Sequence, residues 1–127
     1  MRTLLIVSLV TLLFVGLALA QNGPSVTMPA AGAQLGPNYD VIGNAGHRAF
    51  LVVATDVIDA NTGECLRTVP GIRHWTADDG SFHFRVASPR VSIGERDTPL
   101  KYRVRVMEAN ETGIVGPETV VEASMAQ

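Results

Sequence analysis

A single cysteine and a single lysine stand in 127 residues, and aromatic residues make up only 6% of the chain. With Cys65 alone, no intrachain disulfide can form, so a folded domain must be held by its apolar core. A lone cysteine is most often a small buried hydrophobe. Arginine supplies nearly all the basic charge, yet the balance stays mildly acidic, at −2 for the full chain. That sign and size exclude a nucleic-acid binder working by phosphate neutralisation. The sequence also has no internal repeat, low-complexity tract or long amphipathic helical pattern.

One long hydrophobic run is present. It follows Met1-Arg2, extends from Thr3 to Leu19 without a charge, and closes with Ala18-Leu19-Ala20 before the polar Gln21-Asn22-Gly23-Pro24. A basic start, an apolar stretch and an A-x-A ending are the parts of a secretory signal peptide. The competing reading is a transmembrane anchor, since about 17 apolar residues approach the length that crosses a bilayer. Small residues at the cut and the turn-forming Pro24 favour cleavage after Ala20. Gln21 stands where a lipoprotein would carry cysteine, and Glu122 to Gln127 form no hydrophobic tail or sorting signal. The expected product is a secreted or periplasmic protein with no membrane segment after cleavage. Its residues, 21–127, form one domain, and loss of Arg2 takes the net charge to −3.

Twelve glycines and seven prolines punctuate short apolar runs, the pattern of a many-stranded β domain. Ser25 to Met28 reads as an edge strand ending at Pro29, and Gly32 to Pro37 as a turn-rich connection. Asn38 to Gly43 alternates, with Tyr39, Val41 and Gly43 on one face. Ala49 to Ala54 is apolar on both faces, which marks a central strand fading through Thr55 to Ile58. Asp59 to Gly63 is a hairpin turn. The return strand runs from Glu64 to Val69 and ends at Pro70-Gly71, leaving residues 72–77, with Trp75, as a short strand or loop. Phe82, Phe84 and Val86 point inward from the next strand, with His83 and Arg85 outward. After a long polar connection from Pro89 to Pro99, Leu100, Tyr102, Val104 and Val106 point inward from the most regular strand. Asn110 to Gly113 turns, and Thr119 to Glu122 closes the domain. The expected fold is an all-β, antiparallel sandwich of seven or eight strands.

Tyr102, Val104, Arg105 and Val106, followed by Asn110, Gly113 and Pro117, resemble the last hairpin of fibronectin type III domains, with Ala109 one place late. The resemblance implies that Tyr102 is a tyrosine-corner residue, its hydroxyl bonded to nearby backbone. The first half lacks that family's tryptophan in the second strand. It is similar instead to bacterial Ig-like modules, through Pro29 and Gly32, then Gly43 and Ala45. Phe50, Gly63, Trp75 and Phe82 fall in an order similar to the Ig-like domain of bacterial spore-germination proteins. Over residues 25–122 the resemblance implies an Ig or fibronectin III-like module for adhesion or assembly at the cell envelope.

No constellation points to chemistry. His47, His74 and His83 are not at ligand spacing, and zinc needs three or four convergent ligands. Asp59-Ala60-Asn61-Thr62-Gly63-Glu64 begins like a calcium loop but lacks the distal glutamate. Its simpler reading is a turn bonded to its own backbone, with Gly63 at positive φ. There is no G-x-S-x-G elbow, and Asn110-Glu111-Thr112 is a formal glycosylation acceptor. The expectation is a non-enzymatic protein without catalytic, cofactor or metal residues. Two features invite a partner. Lys101, Arg103 and Arg105 form a basic stripe, read either as a dock for an acidic protein or surface glycan or as a solvated face paired with Glu118 or Glu122. The outer face of residues 49–54 needs a cover, and Trp75 is the first candidate, ahead of arginine stems or another chain. An alternative makes Trp75 a sugar platform in a carbohydrate-binding module, and a third reading is an enzyme with an unfamiliar site.

Overall fold

The computed structural model describes residues 23–90 and 99–125. The predicted signal peptide and most of the Pro89 to Pro99 connection lie outside the described residues. Within them the chain is all strand and turn, without helix. The strands are β1 (Ser25–Met28), β2 (Gln34–Leu35), β3 (Asn38–Asn44), β4 (Phe50–Asp59), β5 (Cys65–Trp75), β6 (Ser81–Ala87), β7 (Leu100–Asn110) and β8 (Gly113–Met125). A three-stranded sheet has the order β1-β3-β6, and a five-stranded sheet the order β2-β8-β7-β4-β5. One of the two sheets curls into a half-barrel. Pairing is antiparallel except between β2 and β8.

Period-2 alternation explains which side chains meet between the sheets. Val41 from β3, Leu51, Val53 and Val57 from β4, and Val104 and Val106 from β7 are fully enclosed. Phe82 and Phe84 stack with ring centroids 5.4 Å apart and complete the core beside Val86 and Tyr102. Each enclosed valine or leucine contributes about 1.5–3 kcal/mol by leaving water. Polar contact also crosses this layer: the Tyr39 hydroxyl of β3 is hydrogen-bonded to the Thr55 hydroxyl of β4. Burial pushes the Tyr39 phenol up, against the lowering effect of that bond. Tyr102 donates to the carbonyl of Pro89 at 3.1 Å, a backbone bond thirteen residues upstream.

Four sequence expectations need correction. The connection from Gly32 to Pro37 contains the short β2, held by pairing Gln34 and Leu35 with Ser124 and Met125. β4 does not fade after Ala54, because Thr55 and Asp56 both find buried partners. β5 does not end at Pro70. It continues to Trp75 through a break in register in which Gly71 and Ile72 stand between the partners of Ala54 and Val52. An edge position tolerates the missing N–H of proline. A Cβ on Gly71 would lie 2.8 Å from the Val53 carbonyl oxygen, so glycine lets the strands pass this closely. Lastly, β8 begins at Gly113 rather than after Pro117, crossing Gly116-Pro117 as a bulge between the partners of Glu108 and Val106.

Candidate binding surface

The outward side chains of β4 are Phe50, Val52, Ala54, Asp56 and Ile58. Cross-strand register sets Asp56 between Thr68 of β5 and Arg103 of β7. Although it points away from the core, Asp56 has no exposed surface. Arg103 Nε donates to its Oδ2 at 2.7 Å, while Oδ1 accepts from Thr68 Oγ1 at 2.6 Å and Arg105 Nη2 at 3.1 Å. Arg105 Nε is also 2.9 Å from Oδ2 but makes no hydrogen bond. Burial raises the Asp56 carboxyl, but the donors from Thr68, Arg103 and Arg105 outweigh it and hold the group below its ordinary value.

This arrangement changes the reading of the basic stripe. Arg103 and Arg105 share Asp56, Arg105 reaches Glu118 at 3.6 Å, and Lys101 reaches Glu122 at 3.2 Å. Three cations face three carboxylates, so the stripe carries no excess positive charge. The arginines instead flank and close over the outer face of β4, together with Met107, which stands opposite Val52 and is buried. Trp75 does not fill the role of lid. It stands opposite Phe50 alone, ring centroids 5.6 Å apart, and half of its surface remains exposed. Arg48 lies over the indole at 4.7 Å from the ring centre.

Trp75 borders a groove of about 370 Å³ between β5 and β6, lined also by Ile72, His74, Phe82, Phe84 and Arg85. On its rim, Asp40 of β3 meets both His83 Nε2 and Arg85 Nη1 at 3.2 Å. Those two donors, His83 first, draw the Asp40 carboxyl down. The remaining histidines make other contacts. His47 contacts Glu108 at 2.9 Å, and His74 Nδ1 lies 2.8 Å from the Trp75 carbonyl. Among the described residues no three potential ligands converge on a metal position. Asp59 Oδ1 accepts the backbone N–H of Asn61 at 2.8 Å, and Gly63 has φ +77°, the self-bonded turn expected from the sequence. Cys65 is exposed on β5 rather than buried. In the glycosylation-like motif, Asn110 Oδ1 accepts from Thr112 N–H at 2.9 Å within the β7–β8 turn.

The residue that sequence reasoning missed is Asp56. Its signal was present: an acid at an outward position of a central strand, in phase with the two arginines of the neighbouring strand. No family model and no curated protein matches the chain. Among solved structures, the crystal structure of an engineered protein is similar over 85% of this chain, at 20% identity and a TM-score of 0.44. This chain spans 21% of the length of that protein.

Proposed function

We propose that this chain is an exported, non-enzymatic binding domain of the Ig or fibronectin III-like kind, working by contact with another protein at the bacterial cell envelope. The sheet order supports the fold assignment, since a three-stranded sheet facing a larger one built around β4, β7 and β8 matches that architecture. The Tyr102 hydroxyl bonded to upstream backbone adds to it. The observation that carries the functional reading is Trp75, a large side chain left half exposed at the mouth of a groove. Aromatic side chains in such positions anchor protein interfaces. Cleavage after Ala20 gives a protein beginning at Gln21, which N-terminal sequencing of the secreted product tests.

A second reading, a carbohydrate-binding module, draws on the same groove, where Trp75 stands beside His74 and Arg85. Trp75 is the chain's sole tryptophan, so its emission reports directly on either ligand. Protein binding predicts an emission change with an envelope protein fraction, abolished by Trp75→Ala, and none with soluble glycans. A saturable response to glycans alone would replace the first reading with the second.

A further inference from the structure

Among the described residues, β1 and β6 edge the smaller sheet, and β2 and β5 edge the larger. Open edges template pairing with other chains, and proteins blunt them with short strands, prolines and bulges. β1 has four residues with a register shift and runs into Pro29, and β2 has two residues. β5 carries Pro70 and two register shifts. β6 has none of these devices. Its seven residues pair with β3 in unbroken register.

The ladder determines which main-chain groups β6 offers. Ala45 N–H donates to the Gly80 carbonyl and Ser88 N–H to the Pro37 carbonyl, both at 2.9 Å. Hydrogen-bonded pairs alternate along an antiparallel ladder, so Phe82, Phe84 and Val86 spend their main-chain groups on β3. The N–H and C=O groups of His83 and Arg85 therefore point to the open edge, where they meet no partner among the described residues. The groove runs along this edge.

We propose that β6 accepts an extended segment of a partner protein as an added strand, with apolar and acidic residues alternating along that segment. This rests on the reading of the domain as a protein-binding module. Main-chain bonds to His83 and Arg85 would supply affinity, and alternate side chains specificity. One face of the segment meets Ile72, Phe84 and Trp75 in the groove. The other meets His83 and Arg85, which both contact the carboxylate of Asp40. Arg85 bonds Asp40 through Nη1, which leaves Nε and Nη2 without a partner among the described residues. Acidic side chains on the segment supply acceptors for those unused guanidinium N–H groups.

The test is a nitrogen-15 NMR titration of the exported protein with a capped nonapeptide of alternating valine and glutamate. The expected result is saturable shifts centred on the His83 and Arg85 amides, with their hydrogen exchange slowed at least ~10-fold. Replacing glutamate with lysine in the peptide, or methylating its alternate main-chain nitrogens, abolishes binding. Arg85→Glu weakens the glutamate peptide about tenfold and favours the lysine peptide. His83→Pro blocks addition while removing an N–H that β3 does not use, and the methylated peptide tests the same point in the unaltered protein. Equal binding of the methylated peptide, no peptide binding, or shifts confined to the Arg103–Arg105 face overturns strand addition. If an envelope protein still quenches Trp75 in those cases, the binding reading survives. Concentration-dependent dimerisation that protects His83 and Arg85 without peptide overturns the proposal in favour of a second copy. Response to glycans alone overturns both readings.

Discussion

On the inner face of β4, Leu51, Val53 and Val57 are sealed by apolar side chains of both sheets, whereas on its outer face Asp56 is sealed by arginines of its own sheet. The inner seal is additive packing, in which each side chain contributes its own share of burial. The outer seal is a coupled network, and each member is tolerable only while the others are present. The difference also bears on function. A central strand apolar on both faces suggested a face waiting for a partner, but its own chain covers most of the outer face. Under the proposed binding role, this leaves the Trp75 end and the β6 edge for partner contact.

The comparison can be broken at the network first. Replacing Arg103 and Arg105 together with methionine keeps the stems but strands the Asp56 carboxylate, and should cost about 3–5 kcal/mol in urea denaturation. Adding Asp56→Leu should recover most of that loss, because no buried charge is left. On the inner face, Leu51→Ala should cost about 2–5 kcal/mol through the cavity it leaves, with no rescue from the outer face. The two faces also differ in acid. The Asp56 carboxyl is depressed in the folded state, so its contribution is complete above its unfolded value of about 4 and is lost as pH falls through the folded value. Asp40 and Asp79 are depressed in the same sense, so acid titration of stability should be reduced but not abolished in the triple variant. The smallest effect belongs to the exposed Lys101–Glu122 pair, where Lys101→Gln should change stability by less than about 1 kcal/mol.

The alternation in β3, β6 and β7 was legible because one face of each meets the core and the other meets water or charge. β4 broke that rule. Of its outward residues Ala54, Asp56 and Ile58 are buried, Asp56 beneath Arg103 and Arg105 of β7, and a period-2 pattern does not register a neighbour's side-chain length. Pro70 and Pro117 were misread as strand ends for a related reason. Proline stops a central strand, but an edge strand or a bulge absorbs it, and edge position is a property of the assembled sheet. Cys65 ran against its usual fate because it lies on the exposed edge strand β5. The basic stripe was visible, while its neutralisation depended on cross-strand register with Asp56 and on the reach of Glu118 and Glu122. The groove arises where two edges from different sheets come side by side, which no local pattern encodes.

Native-state amide hydrogen exchange of the free protein tests the central claim, that the described residues leave β6 an open edge while the central strand β4 of the other sheet is paired on both sides. The predicted result is protection alternating along β6, strong at Phe82, Phe84 and Val86 and absent at His83 and Arg85, with amides protected throughout β4. Strong protection of His83 and Arg85 without a partner would contradict it, because the edge would then already be covered.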